Sequence, residues 1–311
     1  MTVAGAQPPS IEVTDLRKRY GRVEALAGLT MTVGRGEVFG FLGPNGAGKT
    51  TAVKLLLGLA RPTGGEGRVL GARIGDLEVR RRIGYLPELF RYQPWLRAEE
   101  VLGLHCELIG IEHATRRTAI DEALQLVGLW SRARDLVGGF SKGMQQRLGL
   151  GVALLGAPDL VVLDEPTSAL DPLGRREVRE VIRAIRERGT TVFLNSHLLT
   201  EVERVCDRVA IIDQGRVIAQ GPLDDLLGVP AARLRVTDLS AEAHAALARF
   251  GEVAQDGEWL TISPLDPERV PDVVAAIVAA GGRIHAVEGG RSSLEDRFVG
   301  LLAAVREERP A

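Results

Sequence analysis

Over the first 220 or so residues, short apolar runs alternate with stretches whose apolar residues recur at helical spacing. "EVFGFLG" (37–43) is a continuous apolar run closed by glycine, and predicts a parallel strand buried on both faces. "KTTAVKLLLGL" (49–59) follows with Val53, Leu56 and Leu57 on one face, the spacing of a helix. "DLVVLDE" (159–165) and "TTVFLNS" (190–196) repeat the strand pattern, and "RVAIIDQGRVIAQG" (208–221) predicts a hairpin turning at Gln214-Gly215. Strands alternating with helices point to an α/β domain on a mainly parallel sheet. Residues 91 to about 157 break that rhythm: "RAEEVLGLHCELIG" (97–110) and "TRRTAIDEALQLVGL" (115–129) have helical periodicity, which predicts a helical insertion. After "GVPAARL" (228–234) the texture changes to a β-α-β-β-α-β order with a last helix, the pattern of a small ferredoxin-like α+β module.

Composition narrows the setting. A chain of 311 residues fits two domains at about 150 residues each. A net charge of −2 gives no pull toward nucleic acid, and no nucleic-acid partner is expected; Arg17-Lys18-Arg19 and Arg80-Arg81-Arg82 read as solvated edges. Two cysteines, Cys106 and Cys206, are too few for a disulfide framework and fit a reducing cytosol. The longest apolar stretch, Leu148 to Leu163, is broken by Pro158 and Asp159 and falls short of the ~18 clean apolar residues of a membrane span. "MTVAGAQPPS" has neither a basic start nor an apolar run, so residues 1–9 are expected to be a disordered leader.

Candidate chemistry begins at "GPNGAGKT" (43–50), a G-x-x-x-x-G-K-[ST] loop between a predicted strand and a predicted helix. Gly43, Pro44, Asn45, Gly46, Ala47 and Gly48 form the candidate nucleotide-binding loop, whose glycines let backbone N–H groups approach and cradle phosphate oxygens, aided by the positive end of the helix. Lys49 would reach the β- and γ-phosphates, Thr50 would give its hydroxyl to Mg²⁺, and Thr51 would cap the α-phosphate. "LVVLDEP" (160–166) carries Asp164 to a strand end, where it can hold the metal's water shell, and Glu165 one residue beyond, where it can take a proton from water. Alone, two acids at a strand end are equally a helix-capping turn; with the phosphate loop they read as nucleotide-hydrolysis machinery.

A second small turn, "FSKGMQQRL" (140–148), gives the series a recognisable order: Tyr20 before a glycine, "GPNGAGKTT", "IGYLPE", "FSKGMQQRL", "VVLDEPTSALD" and "NSH". In that order the chain resembles the ATP-binding-cassette (ABC) ATPases over residues 10–228, leaving 229–311 as an accessory or regulatory domain. The resemblance implies a P-loop fold with an antiparallel N-terminal β part, and two cassettes packed head to tail around ATP. Ser141 and Gly143 would then contact the γ-phosphate of ATP held by the partner subunit. Tyr20 would stack on adenine, Glu165 would be the catalytic base, His197 would contact the γ-phosphate, and Asp171 would join the dimer interface. Two departures stand out: Phe-Ser-Lys-Gly-Met replaces Leu-Ser-Gly-Gly-Gln, and Glu88 stands where most of the family has a Gln that meets Mg²⁺ and the membrane subunit. Both, with "SSLEDRFVGLL" near the end, resemble the branch serving ABC-2-type exporters. That branch implies an ATPase on the cytoplasmic face of the membrane, peripheral and driving a separate permease; a soluble ABC ATPase without transport, or an importer ATPase, is the alternative. His105, His113, His244 and His285 show no metal spacing, and Trp95 and Trp130 read as packing.

Overall fold

The computed structural model describes residues 8–168, 170–290 and 293–307. From the N-terminus, β1 (Ile11–Tyr20) and β2 (Val23–Val33) form an antiparallel pair, and β3 (Val38–Leu42) runs through the loop at 43–48 into α1 (Lys49–Leu56). Then come β4 (Gly64–Val69), β5 (Ala72–Arg73), the short α2 (Leu77–Arg80) and β6 (Ile83–Leu86). Helices α3 (Ala98–Ile109), α4 (His113–Leu126) and α5 (Lys142–Ala153) follow, with no named strand among residues 91–157. The α/β rhythm resumes with β7 (Leu160–Asp164), α6 (Pro172–Glu187), β8 (Thr191–Asn195), α7 (Leu199–Val205), β9 (Arg208–Asp213) and β10 (Arg216–Pro222).

Two sheets result in this part. One has the order β2-β1-β4-β5 and is antiparallel; the other has the order β10-β9-β3-β8-β7-β6. Strands β9, β3, β8, β7 and β6 are parallel neighbours, and β10 adds an antiparallel edge. Every residue of β3, β7 and β8 is buried, as apolar runs without polar alternation require. Phe39 stacks on Phe193 across β3 and β8 with ring centroids 6.0 Å apart, and Val53, Leu55 and Leu56 of α1 seal one face of the sheet.

The chain divides into two compact units between Pro222 and Leu223. The second unit contains α8 (Leu223–Leu227), β11 (Ala231–Thr237), α9 (Ala241–Ala246), β12 (Glu252–Asp256), β13 (Trp259–Ser263), α10 (Val270–Ala279), β14 (Arg283–Gly290) and α11 (Leu294–Glu307). Its sheet order β12-β13-β11-β14, with all neighbours antiparallel, is that of a ferredoxin-like β-α-β-β-α-β module. This contact division falls one helix before the sequence division at 228/229. The sequence signal was the Gly228–Pro230 break, but α8 lies before it and is tied to α11, where Arg297 Nε donates to the Leu226 carbonyl at 2.9 Å. Residues 1–7 of the expected leader lie outside the described residues, and the Pro8 carbonyl accepts from Arg35 Nε at 2.8 Å.

Candidate nucleotide site

Strands β3, β7 and β8 deliver their C-terminal ends to one edge of the parallel sheet, the usual ligand edge of an open α/β sheet. At the end of β3 the chain turns sharply. A Cβ at Gly43 would lie 2.4 Å from the Ile212 carbonyl oxygen, and one at Gly48 (φ +105°) would lie 2.4 Å from that of Ala25. Neither position admits a side chain. Helix α1 begins with no side chain capping it, so its first N–H groups remain free to face an anion. Asn45, Gly46 and Thr50 are exposed, with Pro44 and Thr51 half-buried, whereas Ala47 points inward.

The loop is held from behind. Gly215, in the β9–β10 turn, donates its N–H to the Ala47 carbonyl at 2.8 Å and accepts from Ala27 N–H at 3.0 Å. Sequence analysis identified that turn but not this contact.

Lys49 is buried, and its Nζ donates to the carbonyls of Gly43 (2.6 Å) and Pro44 (3.2 Å). Burial pushes its ammonium pKa down, while the nearby carboxylates of Glu165, Asp164 and Glu88 pull it back up. The cation and three acids named from the sequence thus meet at one sheet edge. Burial raises the Asp164 carboxyl pKa; a hydrogen bond from Asn195 opposes that shift, Glu88 reinforces it and Lys49 opposes it. Tyr85 on β6 shares this environment: burial, with the charges of Asp164 and Glu88, pushes its phenol up to about 12, so it stays neutral.

Glu165 follows β7 in a left-handed conformation (φ +51°), unusual for a side chain of its size. Its N–H donates to the Asn195 carbonyl at 2.9 Å. Its carboxylate is buried, and Oε2 lies 2.7 Å from His197 Nδ1 without the alignment of a hydrogen bond. A buried acid with an unsatisfied oxygen beside a half-exposed imidazole is placed to accept a proton.

The donor set suits a hard cation. Mg²⁺ binds through one or two carboxylates together with substrate phosphates and water. Asp164 and the Thr50 hydroxyl fit that pattern, and among the described residues no group of three or more His, Cys, Asp or Glu side chains forms a self-sufficient metal cage. Glu88 is exposed in the loop after β6, close enough to act electrostatically on Lys49 and Asp164.

Ser141, Gly143 and Asp171 lie together elsewhere, lining a shallow depression of about 460 Å³ that no residue of 43–51 lines. Ser141 and Asp171 also have local roles. Ser141 caps α5 by accepting from Met144 N–H at 3.2 Å, and Asp171 caps α6 by accepting from Gly174 N–H at 2.7 Å. A Cβ at Gly143 would meet only the Ser141 Oγ at 3.9 Å, so that turn stays open to an incoming group. Helix α5 also approaches the Glu88 loop closely, since a Cβ on Gly149 would sit 2.6 Å from the Phe90 ring. Tyr20 ends β1, 48% exposed, with Lys18 Nζ 4.7 Å from its ring centre.

Fold and site together define a P-loop nucleotide-binding protein. The ABC transporter family profile matches residues 26–168. An uncharacterized ABC transporter ATP-binding protein of Nostoc sp. is 40% identical, spanning 94% of this chain and 90% of its own length. The daunorubicin/doxorubicin resistance ATP-binding protein of Streptomyces peucetius is 34% identical over 96% of this chain and 94% of its own length. The bacitracin transport ATP-binding protein of Bacillus licheniformis is 43% identical over 70% of this chain and 71% of its own length. Among solved structures, an ATP-binding subunit of an ABC transporter superposes with a TM-score of 0.63 at 35% identity, over 70% of this chain and 91% of that one. The chain belongs to the ATP-binding subunits of ABC transporters, which are ATPases.

Proposed function

We propose that this protein is the ATP-hydrolysing subunit of an ABC-2-type exporter, a head-to-tail homodimer that drives a separately encoded membrane permease from the cytoplasmic face. The observation that carries the hydrolytic part is Glu165, a buried carboxylate whose Oε2 makes no hydrogen bond and lies 2.7 Å from His197 Nδ1, close enough to Lys49 to act on its charge. The exporter part rests on relatives whose names include bacitracin transport and daunorubicin/doxorubicin resistance. Another, the Nod factor export ATP-binding protein I of Ralstonia nicotianae, is 35% identical over 94% of this chain. No described helix is long and apolar enough to cross a membrane, so a membrane path calls for a partner.

In this reading, Lys49 exchanges the Gly43 and Pro44 carbonyls for phosphate oxygens, and Tyr20 stacks on the adenine. Mg²⁺, when bound through Thr50 and Asp164 with Glu88 nearby, neutralises charge on the phosphates. Glu165 takes the proton of the attacking water and His197 contacts the γ-phosphate. Ser141 and Gly143 close the site from the second subunit, with Asp171 at the interface between the two. A cassette bound to ADP and phosphate, 25% identical and superposing with a TM-score of 0.61, is itself dimeric.

The test is Glu165→Gln. Its amide keeps the shape but takes no proton, so hydrolysis should fall by about 10² or more while ATP binding persists. An ATP-bound dimer should then accumulate in size-exclusion chromatography. Wild-type turnover in this variant would remove Glu165 as the base.

A further inference from the structure

Beside the two acids sits a side chain that neither the phosphate loop nor the acidic motif requires. Asn195 ends β8, is buried, and faces Asp164 directly in parallel register. Its Nδ2 donates to Asp164 Oδ1 at 2.5 Å, and its backbone carbonyl accepts the Glu165 N–H at 2.9 Å. One residue thus grips both acids, the first through its side chain and the second through its backbone. A carboxylate only accepts hydrogen bonds, so the amide's NH₂ must face Asp164 and its oxygen must point away. That oxygen, Oδ1, is buried and has no hydrogen-bond partner. Folded proteins rarely leave such an atom unpaired unless a water, ion or ligand completes it.

We propose that Asn195 is a positioning residue for the metal: through Nδ2 it fixes the direction of the Asp164 carboxylate, and through Oδ1 it accepts from a water of the metal's hydration shell. Removing a group that orients a metal ligand from behind typically costs about 10- to 100-fold in metal affinity. Leucine is close to asparagine in size but supplies neither bond, so Asn195→Leu isolates the role. The proposal rests on the nucleotide reading of the site.

The experiment separates metal from nucleotide. Electron paramagnetic resonance follows Mn²⁺ at the protein–ADP complex, calorimetry in EDTA gives metal-free ADP affinity, and thermal unfolding checks the fold. Asn195→Leu should weaken Mn²⁺ binding about 10- to 100-fold while metal-free ADP affinity stays within about twofold. Unchanged Mn²⁺ affinity in the folded variant would overturn the proposal. So would an equal loss of both affinities, which is the mark of a merely structural residue. If Asn195→Leu does not fold, Asn195→Ala carries the same expectation and the same refutations. A parent protein that binds no ADP would instead sink the nucleotide reading, and this proposal with it.

Discussion

Gly215→Ala tests whether the phosphate loop is held from behind, far from any phosphate. Gly215 has φ +74°, and a Cβ there would lie 2.7 Å from Leu26 Cα and Ala27 N and 2.9 Å from the Ala25 oxygen. All three are backbone atoms, so no side chain can swing aside. The left-handed conformation costs an alanine ~1 kcal/mol, and displacing the turn breaks the hydrogen bonds to Ala47 and Ala27 at ~1 kcal/mol each, a total of about 3 kcal/mol. The matched control is Gly21→Ala, with φ +58° and no atom within 4 Å of the new Cβ, which should lose only ~1 kcal/mol. Urea unfolding of both variants gives the difference. Because the bond to Ala47 lies inside the phosphate loop, Gly215→Ala should also lower ADP affinity about tenfold, whereas Gly21→Ala should not. Equal stabilities for the two variants would refute the steric argument, and a destabilised Gly215→Ala with unchanged ADP affinity would refute the support role.

Two further outcomes concern stability and chemistry away from the site. Arg179 of α6 grips Glu201 of α7 through both carboxylate oxygens, at 2.8 and 2.6 Å, with both side chains largely buried. Arg179→Ala strands that acid and should cost about 3–5 kcal/mol in chemical unfolding, against less than about 1 kcal/mol for Arg176→Ala at the exposed Arg176–Glu180 pair. Burial pushes the thiol pKa values of Cys106 and Cys206 up, so neither should react with iodoacetamide at pH 8 until denaturant is added; fast labelling of the native protein would contradict their burial.

The strands were legible because they are fully buried: "EVFGFLG", "DLVVLDE" and "TTVFLNS" have no polar alternation, and a sheet covered on both faces is what such runs can form. Lys49, Asp164 and Glu165 were legible because motif spacing fixes which strand ends carry them. Asn195 was not, because its role depends on β7 and β8 lying side by side, which no local pattern encodes. Gly215 was read correctly as a turn, yet its bond to Ala47 joins segments far apart in the chain. The capping roles of Ser141 and Asp171 had a local signal, an N-cap residue opening a helix, with Pro172 following Asp171.

The place of β3 between β8 and β9 also sets when this protein becomes competent during its synthesis. A nascent chain that has emerged only to residue 190 carries the whole phosphate-loop sequence but neither flanking strand. It also lacks the turn at Gly215 that holds Ala47. At about 5–20 residues per second, roughly ten to thirty seconds separate the appearance of Lys49 from that of Asp213. Until β8 at 191–195 appears, the apolar strand 38–42 has no parallel neighbour on either edge, and until β9 follows one edge stays open, the kind of unpaired edge that invites pairing with other chains.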